Sequence, residues 1–172
     1  MSKLISFSNK RKRVRFIIFS LLAVLVMLGI FLFSSQSADE SSATSGKVIN
    51  LVFKIFYSGY EDIAPIEQAE LVSSYQGLIR AAAHGTIYLV LGFLLQGAVL
   101  QLEWKKPFPK AFCTLFVVVL YAISDEIHQY FVPGRAFQLI DLGVDTLGAA
   151  VGILLFLTLL WVYKRIAKRP CK

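Results

Sequence analysis

Residues 111–135 read AFCTLFVVVLYAISDEIHQYFVPGR and change character halfway along. The first half is apolar and predicts most of a membrane-spanning helix, because about 20 residues at 1.5 Å per residue cross roughly 30 Å of hydrocarbon. The second half brings Asp125, Glu126, His128 and Gln129 together, and a Pro-Gly pair that favours a turn follows them. This stretch predicts a span that ends in a polar cluster at one surface of the membrane.

The whole chain has the composition of an integral membrane protein. Of its 172 residues, 56% are hydrophobic and only 17% are charged, which is too apolar for an ordinary soluble domain of this size. Four apolar segments are long enough to span a membrane, at about 16–33, 81–102, 111–130 and 139–163. We expect an all-α membrane protein with four transmembrane helices, forming one domain over residues 1–172.

The basic residues predict the orientation of the spans. Fourteen of the 18 lysines and arginines precede the first span, lie between the second and third, or follow the fourth. By the positive-inside rule these segments and both termini are cytoplasmic, so residues 34–80 and 131–138 face outward. The basic residues form no stripe with interleaved aromatics, so the net charge of +7 does not indicate nucleic-acid binding.

The first span and the outer loop that follows it each allow two interpretations. A basic segment before the span and small residues at Ser35 and Ser37 are typical of a cleaved signal peptide, but the apolar run exceeds the usual 7 to 15 residues and favours a retained anchor. In the loop, apolar residues recur at helical spacing over 48–56. They predict an amphipathic helix on the outer membrane surface or over the bundle, with a second helical piece after Pro65.

Polar residues also mark the outer ends of the second and fourth spans. Arg80, His84 and Tyr88 are spaced four apart and share one helical face. Asp141 and Asp145 share a face of the fourth span, and that face continues through Gly148 and Gly152, whose small size lets a neighbouring helix approach closely. The acids above these glycines are therefore expected to point into the bundle, and three spans together predict a polar pocket that opens outward.

Three stretches resemble the VanZ-like family of small bacterial membrane proteins. They are FSSQSADESSATS at 33–45, RAAAHGTIYLVLG at 80–92 and SDEIHQYFVPGRAFQLIDLGVDTLGAAVG at 124–152, whereas the loop between Val48 and Gly77 carries none of the likeness. The resemblance implies a four-span protein. The family's namesake is associated with resistance to the lipoglycopeptide teicoplanin, so the resemblance also implies a role in glycopeptide resistance at the bacterial cell envelope.

The pocket residues allow three kinds of function. In an enzyme, Glu126 or His128 acts as general acid or base, with Asp125 and His84 beside them. In a binding protein, the same pocket holds an anionic headgroup or the lipoglycopeptide itself, because arginines bind phosphate with two parallel hydrogen bonds. In a structural ion-pair network, Arg80 and Arg135 only neutralise the acids. The predicted binding residues are Arg80, Tyr88, Gln129, Arg135, Asp141 and Asp145.

Metal binding and a serine nucleophile are weaker hypotheses. No cofactor is expected, although a divalent cation among the acids and His128 is left open as an alternative that nearby arginines oppose. Ser34, Ser35 and Ser37 are interpreted as capping and turn residues at the end of the first span. The expected partners are membrane lipids, a lipid-linked cell-wall precursor or a lipoglycopeptide, and the expected location is the bacterial cytoplasmic membrane.

Overall fold

The computed structural model describes residues 5–6, 10–104 and 109–167. Within these residues the chain forms five α-helices: α1 Lys10–Ser34, α2 Ala38–Phe56, α3 Pro65–Val99, α4 Lys110–Tyr130 and α5 Leu139–Ala167. A 3₁₀ turn, Tyr60–Asp62, joins α2 to α3. Two short strands, β1 Ile5–Ser6 and β2 Glu103–Trp104, pair antiparallel with Ile5 opposite Trp104 and Ser6 opposite Glu103. The predicted all-α fold is confirmed.

Four of the helices, α1, α3, α4 and α5, are long and apolar enough to cross a membrane, as predicted. The second span differs from its prediction, because α3 begins at Pro65 and not near Ala81. The helical piece predicted after Pro65 is thus continuous with the span. Gly77 is its only glycine before Ala81, and a single glycine costs a helix about 1 kcal/mol, which does not end it. At 1.5 Å per residue, α3 is about 50 Å long and exceeds the hydrocarbon layer.

The amphipathic helix exists but begins at Ala38, ten residues before the predicted start at 48. A capping box sets this start: the Glu40 backbone N–H donates to Ser37 Oγ at 3.3 Å, and the Ser37 backbone N–H donates to Glu40 Oε2 at 2.9 Å. The backbone and hydroxyl donors of Ser37 lower the pKa of Glu40, which favours the carboxylate that accepts these bonds. The predicted capping role of Ser37 agrees with this geometry.

Several large apolar side chains of α2 point away from the bundle. Leu51, Ile55 and Phe56 are 59%, 64% and 81% exposed, whereas Ser41, Ser45, Gly46 and Ile49 are buried. Small residues such as Gly46, together with Phe53 against Tyr75, pack α2 onto α3, where the Gln76 side-chain amide donates to the Ser42 carbonyl. Of the two interpretations of this helix, its exposed apolar face favours contact with the membrane surface.

Replacing Ser37 with alanine is expected to weaken the first turn of α2 by about 1 kcal/mol, because the Glu40 N–H loses its acceptor. Amide hydrogen exchange of the detergent-solubilised protein measures this, and protection should fall over residues 38–44. Ser42→Ala is the matched control, since no hydrogen bond of the Ser42 side chain is present within the described residues. Equal protection in Ser37→Ala and Ser42→Ala would contradict the capping argument.

Helices α3 and α5 pack with their backbones in direct contact. A Cβ added to Gly148 would collide with the carbonyl oxygen of Gly85, and one added to Gly152 would collide with that of Leu89. The reverse holds for Gly92, where a Cβ would strike the carbonyl oxygen of Ala149. The predicted inward face of the fourth span is confirmed, and it fixes where Asp145 points.

The end of the bundle opposite the predicted pocket carries the basic residues. Lys12 forms an ion pair with Glu103 at 2.7 Å, and the Lys110 ammonium donates to the Leu102 carbonyl, so α1, β2 and α4 meet there. Six of the fourteen residues that predict the orientation lie outside the described residues: Lys3, Lys105, Lys106, Lys168, Arg169 and Lys172.

Candidate functional site

The polar end of the bundle is the end where α1 and α4 finish and α5 begins. There α1 meets α4 through Ser34 and Asp125, whose Oδ2 accepts from Ser34 Oγ at 2.9 Å. The side-chain amide of Gln129, one turn later on α4, donates to the same carboxylate oxygen at 3.1 Å and to Ser34 Oγ at 3.2 Å. All three side chains are buried, so the ends of α1 and α4 are joined by a dry polar contact.

Arg135 extends this contact into the loop between α4 and α5. Its Nη1 donates to Gln129 Oε1 at 3.0 Å, and its Nε donates to the Gln36 carbonyl at 3.1 Å. The same loop also holds α2, because the Ala38 N–H donates to the Pro133 carbonyl at 3.2 Å. Gly134 has φ +75, a left-handed conformation that favours glycine, and it turns the chain so that Arg135 points back toward the bundle.

A second group, here called the His84 cluster, consists of His84, Asp125 and Asp145 from α3, α4 and α5. His84 Nδ1 lies 3.5 Å from Asp145 Oδ1, and one donor atom from each of the three side chains lies within 4.8 Å of the others. Asp145 is fully buried, and His84 is 15% exposed at its side chain. The structure thus brings together three predicted residues that are 20 to 61 positions apart in the sequence.

Glu126 is also fully buried but points elsewhere. Its Oε2 accepts from the Gln138 backbone N–H at 2.8 Å, immediately before α5 begins. A carboxylate at this position satisfies a free N–H and complements the positive end of the helix dipole. The position of Glu126 therefore favours a role in holding the start of α5.

His128 lies on the side of α4 that faces α1. Its ring stacks on Phe31, with centroids 4.6 Å apart, and its Nε2 lies 3.1 Å from Ser35 Oγ. The hydroxyl of Ser35 donates to the Phe31 carbonyl at 2.7 Å, so the imidazole is the donor to Ser35. This arrangement gives Ser35 no base to remove its proton, which agrees with its interpretation as a helix-end residue.

The other two predicted residues surround the His84 cluster without joining it. Tyr88 is fully buried, its hydroxyl has no hydrogen-bond partner within the described residues, and its ring lies 6.3 Å from that of Tyr121. Asp141 is half-buried near the start of α5, and no hydrogen bond or ion pair of its side chain occurs in the described part of the chain.

A cavity of about 240 Å³ lies between the ends of α1, α2 and α3, beside the His84 cluster. Its walls are mainly apolar, and its polar wall is formed by Arg80, His84, Arg135, Ser34 and hydroxyl groups of α2. The full lining is Ile30, Phe33, Ser34, Gln36, Ser41, Thr44, Ser45, Val48, Ile79, Arg80, Ala83, His84, Ile87 and Arg135.

Two arginines, Arg80 and Arg135, line this cavity. Among the described residues neither Arg80 nor Arg135 forms an ion pair with a carboxylate. Burial lowers the pKa of Arg135, and the positive charge of Arg80 lowers it further. A guanidinium nevertheless stays protonated in proteins, so the cavity wall carries two positive charges that repel each other.

The sequence interpretation missed two parts of this site. Ser34 was interpreted as a capping or turn residue, but it is the last residue of α1, is 2% exposed and donates to Asp125. The hydroxyl groups of Ser41, Thr44 and Ser45 line the cavity from a helix that was predicted to begin later. A capping box at Ser37 and Glu40 was the available signal, because it moves the start of α2 to Ala38.

Comparison with known proteins identifies the family. The family model described as VanZ/LLP1 matches residues 19–161, which includes all the residues of the site and most of each span. Comparison with curated proteins and with solved structures gives no significant match. Because the family model covers most of the chain, this multi-pass membrane protein belongs to the VanZ/LLP1 family.

Proposed function

We propose that this protein binds an anionic amphiphile of the cell envelope in the cavity between α1, α2 and α3, and that this binding protects the cell against teicoplanin-type antibiotics. The observation that carries the proposal is the pair of arginines, Arg80 and Arg135, on the wall of a cavity that is otherwise mainly apolar. Two neighbouring cations without an acid partner are held most favourably when an anion lies between them.

The apolar walls define the rest of the ligand. Ile30, Phe33, Val48, Ile79 and Ile87 line the cavity from three helices. Such walls suit the first part of an acyl or polyprenyl chain, while the arginines hold a phosphate or carboxylate. Phospholipids and lipid-linked cell-wall precursors share this chemistry.

The size of the cavity indicates which of two candidate ligands fits, a lipid headgroup or a whole antibiotic. Pockets for drug-sized ligands measure about 300–1,000 Å³, and this cavity measures about 240 Å³. It therefore suits a headgroup with part of its chain better than an entire lipoglycopeptide.

The orientation rests on the basic end of the bundle. By the positive-inside rule that end and both termini face the cytoplasm, so the cavity opens at the outer surface of the bacterial cytoplasmic membrane. There it meets headgroups of the outer leaflet, which includes lipid-linked precursors after their transfer across the membrane. The link to resistance rests on membership of the VanZ/LLP1 family.

Binding is favoured over the enzymatic alternative by the positions of the predicted acid and base. Glu126 holds the start of α5 and His128 stacks against α1, and neither lines the cavity. The proposal therefore assigns no bond-breaking step to these residues.

Replacing Arg80 with glutamine is expected to reduce retention of anionic lipid about tenfold, because loss of a charge-assisted contact costs about 1.5–3 kcal/mol. The protein is purified from nanodiscs that contain phosphatidylglycerol, polyprenyl phosphate or phosphatidylcholine, and retained lipid is counted by native mass spectrometry. Lys47→Gln is the matched control, since Lys47 is an exposed cation of α2 outside the cavity.

The three lipids and added teicoplanin distinguish the sources of the anion. Retention of either anionic lipid, phosphatidylglycerol or polyprenyl phosphate, that is lost in Arg80→Gln and kept in Lys47→Gln supports the proposal and names the source. Equal retention of phosphatidylcholine, or retention of teicoplanin alone, overturns it. The same variants, produced at equal levels in bacteria, should lose or keep teicoplanin protection in parallel with lipid retention. If Arg80→Gln protects the cells as well as the intact protein does, lipid binding is not the cause of protection.

A further inference from the structure

The His84 cluster has the donors of a metal site drawn from three different helices. An imidazole and two carboxylates converge, with one atom from each within 4.8 Å of the others. Two ligands of a tetrahedral ion bound at about 2.1 Å lie about 3.4 Å apart, so a pair at the 4.8 Å limit would have to close by about 1.4 Å, which side-chain rotation can supply. The 3.5 Å between His84 Nδ1 and Asp145 Oδ1 already equals the ligand spacing of a roughly tetrahedral site.

The donor atoms of His84 and Asp145 form an ion pair with each other at 3.5 Å but have no hydrogen bond within the described residues. Asp145 is fully buried, and neither of its carboxylate oxygens has a hydrogen-bond partner within the described residues. His84 Nδ1 is likewise without a hydrogen bond there. Buried carboxylates in a membrane span are costly unless a cation compensates them, and each such unpaired group calls for a ligand.

Lysines and arginines make no direct contact with these two acids in the described part of the chain. Neither Asp125 nor Asp145 forms an ion pair with a lysine or arginine among residues 10–104 and 109–167. One imidazole therefore faces two buried carboxyl groups, which together carry a net negative charge whenever both are ionised. A divalent ion bound by a neutral His84 and the two carboxylates would bring the net charge of the cluster to zero.

The carboxylate of Asp125 is oriented by hydrogen bonds to one of its oxygens, as the carboxylate ligands of metal sites are. Ser34 Oγ and Gln129 Nε2 both donate to Oδ2, at 2.9 Å and 3.1 Å. The other oxygen, Oδ1, receives no hydrogen bond from the described part of the chain. Hydrogen bonds from such outer groups orient the ligands of metal sites and tune their affinity.

We propose that His84, Asp125 and Asp145 bind one divalent first-row transition ion, zinc or manganese, with an open coordination position beside the cavity. The mixture of one imidazole and two carboxylates, without a thiolate, suits these ions. Calcium prefers six to eight oxygen ligands, which three side chains do not supply. Of the residues from which the sequence allowed a cation site, Asp125 and Asp145 take part, and His84 replaces His128.

The proposed metal site also accounts for the presence of two arginines and two buried acids at the same end of the bundle. Arg80 and His84 line the same cavity, so an anion held by the arginines lies within reach of the open position of the ion. The arginines oppose a cation by themselves, but an anionic headgroup between them removes that repulsion. The metal site does not depend on this ligand, because its three donors come from the chain alone.

Metal analysis of the purified full-length protein tests the proposal. The protein carries an affinity tag without histidines and is purified without chelator, and its metal content is measured by inductively coupled plasma mass spectrometry. About one zinc or manganese per chain is expected, and Asp145→Asn and His84→Gln should lower it at least tenfold, since loss of an outer-shell partner alone costs about 10- to 100-fold. Asp62→Asn, which changes an exposed acid, should keep its metal.

A second measurement keeps the test decisive when a variant misfolds. Intact protein is stripped with EDTA and titrated with Co²⁺, whose bound form absorbs visible light, and saturation at one ion per chain supports the site. Intact protein that holds no metal and does not bind Co²⁺, or a monodisperse Asp145→Asn protein with unchanged metal, overturns it. Arg80→Gln should keep its metal while losing anionic lipid, so failure of the lipid proposal and failure of the metal proposal give different results.

Discussion

Replacing Gly152 with alanine is expected to cost about 3 kcal/mol or more of stability, although it adds one methyl group. The methyl would occupy the position of the Leu89 carbonyl oxygen and crowd the Phe93 backbone nitrogen. Overpacking that side chains can relieve costs about 1–3 kcal/mol, but here the obstacles are backbone atoms of α3, so the two helices must separate. The thermal unfolding midpoint and the monodisperse yield in detergent measure the loss.

Gly143→Ala is the matched control on the same helix. A Cβ at Gly143 meets nothing within 4 Å, so this change should leave the midpoint close to that of the intact protein. Separation of α3 from α5 would also pull His84 away from Asp145, and Gly152→Ala should therefore lose bound metal together with stability. An unchanged midpoint in Gly152→Ala would show that α3 and α5 do not pack at this distance.

The spans and their contact face are predictable from the sequence because they depend on local patterns. Apolar length gives the four membrane helices, and the spacing of three and then four residues between Asp145, Gly148 and Gly152 places the acid and the glycines on one face. The membrane makes the first pattern strict, since backbone polar groups in lipid must be satisfied within the helix. The second pattern is strict because only small residues permit backbone contact.

The division of the polar cluster on α4 is less predictable. Asp125 and Glu126 are adjacent in sequence and were grouped in one pocket, but successive residues of a helix point about 100° apart. Asp125 consequently faces Ser34 and the His84 cluster, while Glu126 faces the start of α5. Sequence periodicity gives this angle, but the neighbour that each side faces depends on how the helices are arranged.

Long-range partners are the part that a single sequence does not supply. Ser34 and Asp125 are separated by 91 positions, and their hydrogen bond depends on where α1 ends relative to α4. The cavity likewise requires α2 to begin at Ala38, because its hydroxyl groups form one wall. Both features arise when helices pack, after local propensity has fixed only their approximate lengths.

The contacts of the two arginines bear on the hypothesis of a structural ion-pair network. In such a network Arg80 and Arg135 neutralise the acids, but no arginine–carboxylate ion pair is present among the described residues. Arg135 instead donates to neutral acceptors, the Gln129 side chain and the Gln36 carbonyl. No carboxylate lies within ion-pair distance of Arg135 in the described part of the chain.

Arg135→Lys is expected to reduce anionic-lipid retention about tenfold or more, although the positive charge is preserved. The guanidinium donates from Nε to the Gln36 carbonyl and from Nη1 to Gln129 Oε1, and so joins the end of α1, α4 and the following loop. A lysine ammonium does not reproduce this planar fork, and each hydrogen bond of a charged group is worth about 1.5–3 kcal/mol. Native mass spectrometry of protein from phosphatidylglycerol or polyprenyl phosphate nanodiscs gives the retained fraction.

Arg80→Lys supplies the comparison, because the Arg80 side chain makes no hydrogen bond or ion pair within residues 10–104 and 109–167 and contributes mainly charge. It should retain lipid within about threefold of the intact protein, since a lysine also contacts phosphate as a point charge. A large loss in Arg135→Lys with a small loss in Arg80→Lys means that Arg135 positions the site and Arg80 supplies charge. If both variants retain anionic lipid equally well, the cavity recognises only positive charge, and the proposed role of the Arg135 guanidinium geometry is contradicted.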